Sequence, residues 1–290
     1  MNRMFGMLSM LLRENLISGN FVRKPEESLV MDEHNQVTAW HDQGADDGPI
    51  TSIYHLNAMA CSSLAPLGGT VVDLGCGSGR YAAYLARLRP DLRIIGFDLS
   101  APMVQIGNAS LRANDLAERV ELRQGDMTTF SQQLPSETVL INCLFAIHHL
   151  PSLHEVELCL TEIRNASEKT GCGFLIFDLV RPRHVRTAVD YPRVFTPDSP
   201  EAFRLDSTNS LIAAYSHAEL KEVVDRVFGH ATVQHILAHI LPLYQAFWRM
   251  SERQDKAQLL NFVEENKAKM SLGLRSQYQA LRMMLPEFPS

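Results

Sequence analysis

The residues of this chain whose types and spacing suit chemistry gather at the ends of apolar runs. Val71-Val72 leads into Asp73, and glycines then fall at every second position, Gly75, Gly77 and Gly79, with Cys76 between the first two. A turn this rich in glycine lets the backbone approach a ligand closely, because no Cβ stands in the way. A carboxylate just before it repels phosphate and attracts a cation. Ile94-Ile95-Gly96-Phe97 ends in Asp98, 19 residues after Gly79. That spacing suits a ribose diol, since a carboxylate accepts from both hydroxyls. A run from Val120 ends in Gly125-Asp126-Met127, and Val139-Leu140-Ile141-Asn142 continues to His148-His149. A neutral imidazole there can take a proton from an oxygen or nitrogen, because its ordinary pKa lies near neutrality. The acids also fit plainer roles: Asp98 with Ser100 reads equally as a helix cap, and Asp126 as a turn former.

The first run departs from the dinucleotide pattern G-x-G-x-x-G, because its third glycine comes one place early and Arg80 follows it. Asp73-x-Gly75-x-Gly77-x-Gly79 instead resembles the first motif of class I S-adenosylmethionine (SAM)-dependent methyltransferases. The other three runs follow in that family's order, and together they span residues 71–150. The resemblance implies SAM as cofactor and methyl transfer as the activity. It implies Asp73 near the ammonium end of the methionine portion, with Gly75, Cys76, Gly77 and Gly79 alongside. Asp98 is expected on the ribose, Leu99 and Met103 beside the adenine, and Asp126 with Met127 on the purine. Asn142 is expected to line the methionine side through its backbone, and Tyr54 to stand at the pocket mouth. His149, and after it His148, are the expected catalytic residues at the rim where the family holds its acceptors. The alternative is a SAM-binding protein of this fold with a non-methylating or regulatory role. Asn142-Cys143-Leu144-Phe145 stands where methyltransferases of nucleobase amines carry an Asp-Pro-Pro-Tyr-like motif, which argues against that acceptor.

Composition points the same way. The chain has 290 residues, 46% hydrophobic and 21% charged, enough to bury a sizeable core. A net charge of −6 gives no polyanion-binding footprint. A small-molecule acceptor is therefore expected, and nucleic acid is not. Five scattered cysteines without a Cys-x-x-Cys pair favour reduced thiols and a cytoplasmic location. The apolar stretch from Phe5 to Leu12 is short, no run reaches the ~20 apolar residues of a membrane span, and no membrane partner is expected.

Strands at 70–74, 93–98, 119–124, 138–142 and 173–178 alternate with helices of crossover length at 80–88, 101–115 and 152–166. Such units pair in parallel with right-handed connections, which predicts a doubly wound, Rossmann-like α/β fold. The resemblance implies a seven-stranded sheet, mostly parallel, with an antiparallel closing strand. Residues 1–66 read as an N-terminal helical cap, 67–250 as the core and 251–290 as a C-terminal helical extension. An amphipathic helix over 3–18 is expected to cover the active site or a second subunit of a homodimer. Residues 180–215 lack strong periodicity and read as a lid, with Arg181, Arg183, Arg186, Arg193 and Arg204 able to meet an acidic acceptor group. His235-x3-His239 has metal-ligand spacing only on a helix. On a strand the rings stand ~13 Å apart, so no metal is expected.

Overall fold

The computed structural model describes residues 3–28, 34–45, 48–251 and 270–289. Helices α1 (Arg3–Leu16), α2 (His34–Gln43) and α3 (Thr51–Leu64) precede the sheet. The alternating part then runs β1 (Thr70–Leu74), α4 (Arg80–Leu88), β2 (Arg93–Asp98), α5 (Ala101–Ala113), β3 (Val120–Gln124), β4 (Thr138–Leu144), α6 (Leu153–Thr170) and β5 (Gly173–Leu179). After it come α7 (Val185–Phe195), α8 (Glu201–Ala213), α9 (His217–Phe228), β6 (Gln234–Leu237), β7 (Tyr244–Arg249) and α10 (Leu272–Met284). The strands form one seven-stranded sheet in the order β3-β2-β1-β4-β5-β7-β6. β7 alone runs antiparallel to β5, and β6 returns antiparallel to β7, as the resemblance implied.

Both faces of this sheet are covered, so its central strands are apolar throughout. β1, β4 and β5 are buried along their whole length. Successive side chains point to opposite faces: Val71 packs with Leu56, Tyr81 and Leu85, whereas Val72 joins the cluster of Val156, Leu160 and Ile163. Met10 of α1 and Tyr278, Leu285 and Phe288 at the other end belong to the first of these clusters. The two chain ends therefore share the core of the sheet. α9 begins at a capping box, Ser216 with Glu219, which satisfies two otherwise unpaired helix-end donors.

The segment expected as a lid, 180–215, is largely helical. Its middle folds as α7 and α8, with Ala188, Val194, Phe203 and Leu211 buried. Of the prolines in this segment, Pro192 alone lies within a helix, α7. Within the C-terminal extension the described part carries α10, while 252–269 lie outside the described residues. Among the described residues no helix is long and apolar enough to cross a membrane.

Candidate functional site

The strand order reverses between β1 and β4, and a cavity of about 1410 Å³ opens there, at the carboxyl ends of the strands. Open α/β sheets bind ligands at this switch point. Typical ligand pockets are roughly 300–1,000 Å³, so the space exceeds that of one small molecule. One half of its wall carries Asp73, Gly75, Cys76, Gly77, Asp98, Leu99, Met103, Asp126 and Met127, with Tyr54 beside them. The sequence motifs thus converge on one surface.

Local geometry explains how these residues are held. Asp98 accepts from the Gly77 backbone N–H at 2.6 Å and from Ser100 N–H at 2.9 Å, tying the glycine turn to the end of β2. Asp126 accepts from the backbone and hydroxyl of Thr128, so it does form the turn that its sequence allowed. Gly77 sits at φ +54°, and a Cβ built there meets nothing within 4 Å. Its face of the turn is open cavity, a cradle that a side chain would fill. Asp73 is buried, and its pKa is pushed up to about 7 by burial and by Asp98, against the hydrogen bond from Asn142. A cationic ligand end would return it to the carboxylate form. A cation-seeking acid, an open glycine cradle and two further acids at strand ends fit the amino-acid, ribose and base portions of SAM.

Two expected cofactor residues are not on the wall. Gly79 faces the sheet: a Cβ there would lie 2.7 Å from Leu122 Cδ1, and its φ is +68°. It permits close helix–strand packing at the start of α4. Asn142 is fully buried, and its Nδ2 donates to Asp73 Oδ1 at 2.7 Å. The β1–β4 register sets Asp73 directly beside it, so the Asn142 side chain orients the acid.

The other half of the cavity is built by distant segments. Wall residues include Met7 and Leu11 of α1, Trp40 of α2, Tyr191 and Phe195 of α7, Phe203 and Asp206 of α8, and Met284 of α10. Phe145, just after β4, holds φ +55° in this wall and stacks edge-on against Phe177. That conformation is uncommon for a bulky residue and marks stored backbone strain. His148 and His149 follow, their ring centroids 4.2 Å apart. Asp178, at the end of β5, binds His148 twice, at backbone N (2.9 Å) and at Nδ1 (2.6 Å). A carboxylate on Nδ1 fixes the tautomer and leaves Nε2 as the proton-accepting nitrogen of the neutral ring.

His149 has a different partner. Its Nδ1 lies 2.6 Å from Glu26 Oε2, and Ser210 donates to the other Glu26 oxygen. Burial opposes charge on the ring, but the hydrogen bond and charge of Glu26, with Asp206 and Asp178, outweigh it and push its pKa up to about 9. Burial likewise opposes the Glu26 carboxylate, yet His149 brings it down to about 2. The Glu26 carboxylate thus favours the imidazolium form of His149, the opposite of the neutral base expected at this position. Glu26 reaches it because Arg23 fastens the N-terminal segment across the loop after β4. The Arg23 guanidinium donates to the carbonyls of His148, Leu150, Pro151 and Ala213 and lies 3.8 Å from the Tyr215 ring centroid.

The lid arginines do not reach this space. Arg181 pairs with Glu219, Arg186 with Asp190, and Arg204 donates to the carbonyls of Pro197 and Ser199. Arg183 and Arg193 are exposed, and none of the five lies on the cavity wall. The acidic-acceptor expectation loses its support with them. His235 stands on β6 and meets His217 rather than His239, at 3.1 Å. Glu26, His148 and His149 bring ligand-type atoms within 4.8 Å of one another, although Glu26 and His149 are already bonded to each other. Glu26, Asp178 and Asp206 were missed by sequence reasoning. Asp178 alone carried a signal, an acid closing an apolar strand as Asp73 and Asp98 do.

Comparison with known proteins agrees with this architecture. A family model described as a methyltransferase domain matches residues 71–171. A carboxy-S-adenosyl-L-methionine synthase of Campylobacter jejuni is 34% identical over 67 residues, 22% of this chain and 28% of its own. A tRNA1(Val) (adenine(37)-N6)-methyltransferase of Yersinia pestis is 29% identical over 102 residues, 35% of this chain and 39% of its own. The match thus spans well under half the length of these curated relatives. The plantazolicin methyltransferase BpumL, solved with S-adenosylhomocysteine (SAH), superposes with a TM-score of 0.55 at 13% identity, covering 76% of this chain and 91% of that one. Residues 71–171 thus match a methyltransferase-domain model, and the chain shares the fold of SAM-dependent methyltransferase structures.

Proposed function

We propose that this protein transfers a methyl group from SAM to a small-molecule acceptor, at oxygen or nitrogen, inside the cavity at the β1/β4 switch point. The observation that carries the reading is the division of that cavity into two walls, one made of the SAM-family motifs and one of apolar helices with a histidine pair. When bound, SAM supplies a methyl already activated on sulfonium, so the protein need do little covalent chemistry. Asp73, oriented by Asn142, meets the cationic end of the cofactor. Asp98, Leu99, Met103, Asp126 and Met127 hold its nucleoside, and Gly75, Cys76 and Gly77 let the backbone approach. Tyr54 closes the mouth. The apolar helices exclude water and align the acceptor.

His148, held by Asp178, is the residue that takes the acceptor's proton at Nε2. His149, ion-paired with Glu26, helps to orient the acceptor. The N-terminal helices over 1–66 and the helix of the C-terminal extension serve as acceptor-side cover around the core. A SAM reaction other than methyl transfer has one support, the short match to the carboxy-SAM synthase. A nucleic-acid acceptor is likewise suggested only by the tRNA methyltransferase match, against a wall that carries Glu26, Glu155 and Asp206. Product analysis tests the reading: incubation with SAM and an acceptor panel should yield SAH in step with a methylated small molecule. SAH formation only with RNA would overturn the acceptor class, and SAM consumption without SAH would overturn methyl transfer.

A further inference from the structure

The acceptor half of the cavity has a charge balance that the reaction as proposed does not use. His149 is paired with Glu26, so these two groups nearly cancel. Asp206 remains. It lies on the same wall, close enough to Glu26 and His149 to feel both charges, and it accepts from the Trp40 indole Nε1 at 2.8 Å. No described lysine or arginine pairs with it. The cations on the cavity wall are committed elsewhere: Lys24 pairs with Glu27 at 3.6 Å, and Arg80 donates to the His41 carbonyl at 2.8 Å. His149 thus faces two carboxylates, Glu26 and Asp206, on this wall.

A carboxylate withdrawn from water without a full counter-charge is unstable, and it recovers stability by taking up a proton or by meeting a cation. Burial, with the charge of Glu26, pushes the Asp206 pKa up to about 6, against the pull of His149 and Trp40. The wall beside it is aromatic. Trp40 and Phe203 lie 4.7 Å apart, tilted at 54°, and aromatic faces attract cations as well as apolar groups.

We propose that the acceptor carries a basic nitrogen, held as its cation against Asp206 beside the Trp40–Phe203 pair. The inference concerns the group that is recognised; which atom receives the methyl is a separate question. It rests on reading this cavity as the methyltransferase site, and it makes Asp206 a specificity-determining residue. An acidic acceptor would place a third negative charge beside Glu26 and Asp206. A neutral one would leave Asp206 to be satisfied by a proton.

A matched ligand series tests this. Tryptamine, tryptophol and indole-3-acetate share one ring and differ in carrying an ammonium, a hydroxyl or a carboxylate. Calorimetric binding to the full chain at neutral pH, with and without SAH, should rank tryptamine first by about tenfold or more, the scale of a charge-assisted hydrogen bond. Asp206→Asn should remove that preference while SAH affinity stays unchanged. A preference for tryptophol or indole-3-acetate in the wild-type protein overturns the inference. So does an amine preference that survives in Asp206→Asn. The wild-type ranking decides the matter even if the variant does not fold. Absence of SAH binding would instead count against the methyltransferase reading, independently of the ranking without SAH.

Discussion

The two halves of the cavity are built in opposite ways. The cofactor half comes from three strand ends within residues 73–127, each an apolar run closing in an acid or a glycine turn. Its acceptor half is assembled from α1, the segment around Glu26, α2, the loop after β4, α7, α8 and α10, pieces far apart in the chain. The first half is a local consequence of strand geometry, since a βα turn puts its residues at the sheet edge whatever follows. The second exists only once distant helices have packed. This arrangement lets one fold keep a cofactor while its acceptor changes.

The comparison breaks most visibly at His148. Replacing it with alanine should lower kcat by ~10²–10⁴-fold while SAH affinity stays near wild type, the mark of a general base on the acceptor side. Unchanged turnover would reduce His148 to packing. A loss of SAH affinity would mean that the two halves are not separable.

Asp73 probes the opposite wall. Asp73→Asn should weaken SAM binding by roughly tenfold or more, as expected for a lost hydrogen bond to a charged group. The wild-type affinity should also fall as the pH drops below about 7, because the raised Asp73 pKa leaves a neutral carboxyl there. Binding a cation beside it then requires proton release. SAM affinity that is flat through this range, by calorimetry, would contradict the assignment.

The Glu26–His149 pair gives a smaller effect with a defined sign. The folded pKa of His149 is raised from 6.5 to about 9, so its contribution to stability is complete below 6.5 and is lost as pH rises through 9. That of Glu26 is lowered from 4.5 to about 2, so its contribution is complete above 4.5 and is lost as pH falls through 2. The stability difference between wild type and Glu26→Gln should therefore be largest between those windows and shrink toward pH 9. Imidazole titration by NMR should show the His149 pKa moving from about 9 toward 6.5 in Glu26→Gln. A ring that already titrates near 6.5 in the wild type would remove the imidazolium from the account.

The same contrast explains what the sequence made legible. Alternating strands and helices of crossover length leave few topologies, and the glycine turn with its spaced acids marks the cofactor edge. Gly79 and Asn142 carried the right type at the right spacing, but which side of a turn or strand they face depends on packing by Leu122 and Asp73. Glu26 sits in Lys24-Pro25-Glu26-Glu27-Ser28, which has no periodicity and reads as a solvated charge run. Its role depends on Arg23 gripping carbonyls over 120 residues away. Asp206 was hidden differently, in a segment that lacks strong periodicity yet folds as two helices. Charge balance inside a cavity is a three-dimensional property, which is why five lid arginines suggested an acidic acceptor and the folded wall does not.

The most direct test of the central claim is calorimetric titration of the full chain with SAH and, separately, with NAD. The account predicts one-to-one SAH binding and no NAD binding. It further predicts that Asp98→Ala weakens SAH by about tenfold or more, since in the proposed site this carboxylate serves the ribose, and it also ties Gly77 in place. NAD binding without SAH binding, or SAH affinity unchanged in a folded Asp98→Ala protein, would contradict it.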